Sequence, residues 1–164
     1  MPGRADLEVR NIQTLAVLEE RDSIARLLRP MLDREHFRLL RPDAGGTLRC
    51  ALLLVAPDWR GSVPETSCRI LLTPPDKAPL LRRVDAAWVV SFGPGRRESI
   101  SFSSLEPDGL TLSVRRALPT LSGRMLETQE LPLRCAAAAP EEMLAACAAA
   151  LLAEALPRDA RDGA

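Results

Sequence analysis

No tyrosine occurs among the 164 residues of this chain, and phenylalanine and tryptophan together supply only 3% of them. Base-stacking platforms and aromatic cages need such rings, so neither is the working principle of this protein. Lysine is nearly as scarce: of 22 basic residues, Lys77 is the single lysine. The bias towards arginine fits the codon usage of a GC-rich genome better than an arginine-specific role. The basic residues are balanced by 22 acidic ones, for a net charge of zero. A general nucleic-acid binder carries a basic excess, so no nucleic-acid partner is expected. Phosphate-binding glycine patterns are missing too: neither GxGxxG nor GxxxxGK[ST] is present.

Close cysteine pairs are also lacking. Cys50, Cys68, Cys135 and Cys147 stand far apart in apolar stretches, and His36 is the single histidine. A zinc site would want paired cysteines and histidines, so four reduced, largely buried thiols and no metal or cofactor are expected. The opening residues MPGRADLEVR carry no apolar signal region. The stretch from Cys135 to Ala153 is mainly alanine and is interrupted by Pro140, Glu141 and Glu142, which is too weak a pattern to span a bilayer. A cytoplasmic protein with no membrane contact is expected.

What is present divides into three regions of one α/β domain covering residues 1–157. Residues 7–41 read as mainly helical: Ile24, Leu27, Leu28, Met31 and Leu32 share one helical face, and Pro30 should kink or divide it. The preceding TLAVL fits helix or strand equally. Residues 47–134 hold the sheet. LRCALLLVAP, CRILLTPP and AAWVVSFG are nearly continuous apolar runs, as in parallel strands covered on both faces, and Lys77 to Val84 fits a short helix between two of them. The period then changes to alternation in SISFSSL and LTLSVRR, joined by the turn Glu106-Pro-Asp-Gly, and RMLETQELPLR reads as one longer strand. An alanine-rich helix over 140–156 closes the chain, with Pro140 in its first turn, Glu141 and Glu142 against the dipole, and Pro157 as its stop. Residues 158–164 read as a disordered tail.

Candidate chemistry is sparse. The turn in VVSFGPGRRES has two glycines separated by Pro94, which lacks the N–H that a phosphate nest needs, so it only turns the chain. Asp58, Asp76 and Gly93 follow strands, where ligands of α/β sheets bind, and Asp76, Gly93 and Arg96 are the candidate ligand-site residues. Capping the following short helix is the commoner job for such an aspartate as Asp76. Arg96-Arg97 and Arg115-Arg116 could meet across the meander as an anion site, although neighbours on a strand point to opposite faces. His36 has no nucleophile beside it in any known pattern. The terminal helix is apolar nearly all round, so Met143, Ala146, Cys147 and Ala149 are the candidates for a protein-partner or homo-oligomer interface, with burial inside the chain as the alternative.

The order of the second and third regions resembles the later part of the central, ATP-binding domain of the Mur ligases. CRILLTPPD is similar to that family's strand and acidic turn, VVSFG to its next strand, ESISFSSLEPDGLTLSVRR to its antiparallel meander, and EEMLAACAAALLAEAL to its terminal helix. The resemblance covers about Cys68 to Leu156. It implies a three-layer fold in which a short parallel βαβ core leads into a meander closed by the helix. It does not imply ligase activity. The chain has no phosphate loop and no lysine where a carbamylated ligand of magnesium would stand. Ala138, Ala139 and Pro140 occupy the place of a glycine-histidine-asparagine triplet. The expectation is therefore a non-catalytic binding or interaction domain. The alternatives are a ligand-binding protein or enzyme with its site near Asp76 and Gly93, and a subunit of a homo-oligomer.

Overall fold

The computed structural model describes residues 11–43, 45–135 and 139–156. Five strands form an all-parallel sheet in the order β2-β1-β3-β4-β5: β1 (Gln13–Leu18), β2 (Phe37–Leu40), β3 (Thr47–Val55), β4 (Glu65–Thr73) and β5 (Val84–Ser91). The three long apolar runs form β3, β4 and β5, as their composition predicts. The N-terminal region departs from the helical expectation. TLAVL becomes β1 because Leu15, Ala16, Val17 and Leu18 are buried on both sheet faces, a setting that favours a strand over a short helix. The helix α1 is confined to Ile24–Leu28, and Pro30 sits in the 3-10 turn Arg29–Met31 that ends it. The chain then returns as β2, parallel to β1. A 3-10 helix at Pro75–Leu80, rather than an α-helix running to Val84, connects β4 with β5. Residues 7–10 of the expected first region and the expected tail lie outside the described residues.

The two sheet faces are covered unequally. One packs Leu15, Val17, Leu52, Leu54, Ile70 and Leu72 against the helices. The other carries a smaller cluster, Leu18, Leu53, Val55, Val63 and Leu71, under Trp59 and Leu81. Lys77 helps close that second face. Its buried ammonium donates to the Trp59 carbonyl at 2.8 Å, joining the 3-10 helix to the β3–β4 loop. The sheet's edges differ as well. β2 is four residues long, whereas β5 leaves Trp88 51% and Val89 64% exposed.

After β5 the chain leaves the parallel sheet. β6 (Ile100–Glu106), β7 (Gly109–Val114) and β10 (Gln129–Arg134) form an antiparallel sheet in the order β10-β7-β6. Leu110, Leu112 and Val114 point into the core together, as their alternation requires. Pro132 is accommodated because β10 is an edge strand. Gly109 is needed because a Cβ there would lie 2.4 Å from the Leu133 carbonyl oxygen. The expected single strand RMLETQELPLR is broken in two. Met125–Leu126 forms β9, which pairs with β8 (Leu118–Pro119) in a separate hairpin.

The helix α2 (Pro140–Leu152) lies within the main core, and all ten residues from Met143 to Leu152 are buried. They share one cluster with α1, with one face of the parallel sheet and with the inner face of the antiparallel sheet. Met143, Ala146, Cys147 and Ala149 are therefore covered within the chain, which corrects the expectation of an interface: Ala146 and Ala149 are 0% exposed. Alanine makes this arrangement possible, since its side chain lets elements approach closely from several sides while favouring helix. The helix stops at Leu152, earlier than expected. Glu154 takes φ 58° and Ala155 N–H returns to the Ala150 carbonyl at 2.8 Å, the bond pattern usually completed by glycine. The Glu154 carboxylate accepts hydrogen bonds from Thr120 and Ser122, which hold it in that conformation.

Because α2 has no open side, enlarging its alanines overpacks the core. Ala149→Leu is expected to lower unfolding free energy by about 1–3 kcal/mol, and Ala149→Glu to prevent folding of the isolated chain. Urea denaturation followed by circular dichroism reads both. An Ala149→Glu protein as stable as the wild type would place this face of the helix at the surface.

Candidate functional site

From β1 the chain first builds to one side, to β2, and all later strands add on the other side of β1. The strand order therefore reverses between β1 and β3, and in open parallel sheets that point leaves a crevice at the carboxyl ends of the strands. The local sequence holds the crevice open with carboxylates bound to backbone. Asp58, after β3, accepts from the N–H groups of Glu20 and Arg21 at 3.3 and 3.2 Å. Glu20 accepts from Arg60 N–H at 3.2 Å. The loops after β1 and β3 are thus tied to each other across the reversal.

Glu19, the first residue after β1, is buried at this point. Its two carboxylate oxygens accept from Ile24 N–H at 2.9 Å and Ala25 N–H at 3.1 Å, satisfying donors at the start of α1. Arg41 lies beside it, with Nε 4.0 Å from Oε1 and Nη2 donating to the Glu19 carbonyl. Burial pushes the Glu19 carboxyl above the usual carboxylate range, against the opposing pull of the two backbone bonds and of Arg41.

Two clefts open at these strand ends and share Pro57 and Glu141. The first, about 450 Å³, lies at the reversal itself between Ser23, Asp58, Phe102 and the start of α2, and its lining is mostly apolar. The second, about 410 Å³, follows β4 and β5. Its floor is Phe92 and Leu144, and its rim holds three carboxylates, Asp76, Glu98 and Glu141, with no basic side chain among the described lining residues. Asp76 stands in the first turn of the 3-10 helix and is exposed. Glu98 folds under the glycine turn. A Cβ on Gly95 would stand 2.2 Å from its Oε2, and that oxygen is buried without a hydrogen-bond partner. A phosphate would meet like charge in this cleft, because Glu141 and Glu142 already occupy the positive end of α2. A cation would be favoured.

Of the expected site residues, Asp76 and Gly93 line the same cleft and Asp58 the adjoining one. Arg96 is exposed on the turn and lines neither. The arginine pairs do not assemble an anion site. Arg115 and Arg116 each donate to a backbone carbonyl of the turn, Gly95 and Arg97, both at 3.0 Å, and so fasten the turn to β7. His36 pairs with Asp33 at 2.6 Å in the turn before β2 and lines neither cleft. Among the thiols, Cys68 and Cys147 are buried but Cys50 and Cys135 are only half-buried, which corrects the expectation for those two. Burial pushes Cys147 up to about 12. Sequence reading missed Glu19, Glu98 and Glu141. Glu98 stands three residues after Gly95, a spacing that a polar turn does not advertise. A scan against protein-family models, a search of curated proteins and a search of solved structures return no match to this chain.

The raised Glu19 carboxyl sets a pH dependence. The folded state holds this proton more tightly than the unfolded chain, so its contribution is complete below the unfolded value and declines as pH rises through the folded one. Urea midpoints compared at about pH 5 and about pH 7 should fall for the wild type relative to Glu19→Gln across that interval. Equal slopes for the two proteins would show that the buried carboxyl is not the source. Asp58→Ala, which releases the N–H groups of Glu20 and Arg21, should cost about 1–2 kcal/mol in the same assay.

Proposed function

We propose that this chain is a non-catalytic binding domain, a shortened relative of the Mur ligase centre, that takes a positively charged ligand into the crevice at the carboxyl ends of its parallel strands. The observation that carries the reading is the second cleft, where Asp76, Glu98 and Glu141 ring an apolar floor with no basic residue among the described lining residues. Ligand pockets have this character, an apolar body with a few convergent polar groups that set orientation. The kinship is supported by the order of the elements: parallel strands, then an antiparallel sheet, then an alanine-rich terminal helix. The departures lie in the parts that would hold a nucleotide. The sequence holds no phosphate loop, and the start of α2 carries Glu141 and Glu142 directly after the place of the missing glycine-histidine-asparagine triplet.

A second reading, a subunit of a homo-oligomer, is favoured by the free edge of β5 with Trp88 and Val89 exposed. Light scattering on the wild type and on Val89→Lys separates it from the first. A multimer that the substitution dissociates supports the second reading, and a monomer in both cases removes it.

The binding reading is tested by nitrogen-proton correlation spectra recorded with agmatine, spermidine and Mg-ATP as probes. The cationic probes should move the resonances of Gly93, Gly95 and Glu141 together, and Asp76→Asn with Glu98→Gln should abolish that response. Mg-ATP should give no saturable shift and no calorimetric isotherm at micromolar concentration. Saturable Mg-ATP binding, or cationic shifts scattered over the surface, would overturn the proposal.

A further inference from the structure

A second cluster of reactive groups lies on the opposite side of the sheet's chemistry, away from the strand ends. Cys50 on β3 and Cys68 on β4 are direct partners in the parallel register. They share a face through a break in alternation that runs across three strands. The ladders pass from Cys50↔Cys68 to Leu52↔Ile70, and from Cys68↔Ala86 to Ile70↔Trp88, omitting Ala51, Arg69 and Ala87. Strict alternation would put Cys50 with Leu52 and Cys68 with Ile70. Instead both cysteines join the smaller cluster under Trp59, while Leu52 and Ile70 belong to the main core. Cys68 is buried and Cys50 half-buried, and the neighbouring Leu48, Val84 and Ala86 are only partly covered. The pair is therefore reachable from solvent along the thinly covered face.

Geometry decides what such a pair suits. Neighbouring strands lie about 4.8 Å apart, and side chains in register leave their strands side by side. A disulfide needs its Cβ atoms about 3.8 Å apart, so closing one here would pinch two central strands together. Two metal–sulfur bonds of about 2.3 Å laid end to end span about 4.6 Å, close to the spacing of neighbouring strands. Zinc would require two further ligands, and among the described residues no group of three or more histidine, cysteine or acidic side chains could hold a metal. Two thiolates with no third ligand suit a soft monovalent ion that accepts linear coordination.

We infer that Cys50 and Cys68 form a two-coordinate site for a soft monovalent cation, Cu(I), bridging β3 and β4. The ion takes the place of the thiol protons, which leave to the buffer, and no electron is transferred. The polarity of the pair is consistent with this. The neighbouring Cys50 thiol draws Cys68 below the usual thiol range, whereas Cys68 and burial push Cys50 up, so the two sulfurs are not equivalent.

The test is an anaerobic titration of the reduced full chain with Cu(I) in competition with bicinchoninate. The wild type should withdraw one equivalent of copper per chain, and X-ray absorption of the complex should show two sulfur neighbours. Cys50→Ser and Cys68→Ser should each lose that equivalent, whereas Cys147→Ser, which alters a thiol of the main core, should keep it. Cys50→Ala and Cys68→Ala, with circular dichroism melts alongside, provide the result if a serine variant fails to fold. Failure of the wild type to compete for copper would overturn the inference, as would copper retained in the Cys50 and Cys68 variants. So would rapid closure to an intramolecular disulfide by oxidised glutathione in a protein that takes up no copper, which would make the pair a redox couple instead.

Discussion

The burial of α2 on every side is the constraint from which the rest of this structure follows. A helix with no solvent face must be surrounded by elements that each present an apolar surface, and this chain supplies three: one face of the parallel sheet, the inner face of the antiparallel sheet, and α1. Alanine at positions 145, 146, 148, 149 and 150 keeps the helix narrow enough for all of them to approach. The leucines that carry most of the hydrophobic stabilisation, Leu144, Leu151 and Leu152, contribute about 2 kcal/mol each on burial. The meander therefore has a structural reason to leave the parallel sheet after β5: its strands are needed on the far side of the helix.

That arrangement also fixes where ligands can enter. The start of α2 meets the carboxyl ends of β1, β3, β4 and β5, and the space between them is divided into the two clefts that share Pro57 and Glu141. The carboxylates around it have different tasks. Glu19 and Asp58 are bound to backbone N–H groups and shape the loops. Asp76, Glu98 and Glu141 line the second cleft and set its sign. Proximity alone would not separate the two sets. The hydrogen bonds do.

Long apolar runs made β3, β4 and β5 legible from the sequence, and the alternation of Leu110, Leu112 and Val114 did the same for β7. The five-residue run that became β1 was not legible, because its strand character comes from pairing with β2 and β3, a long-range fact absent from local periodicity. The break between β9 and β10 escaped notice for a similar reason: it depends on β9 finding β8. Among site residues, Asp76 and Gly93 were visible because they follow strands. Glu98 was hidden in a polar turn, and its position depends on the fold of Gly95 over it. The pairing of Cys50 with Cys68, 18 residues apart, required the register itself.

One consequence of the Lys77 brace concerns chemical modification. The only ε-amino group in the sequence is buried and engaged with the Trp59 carbonyl. Acylating reagents and lysine-modifying enzymes therefore find no side-chain amine on the closed form of the protein. Acylation of Lys77 requires the β3–β4 loop to lift from the sheet, and the rate of that reaction measures how often the cover over the second face opens.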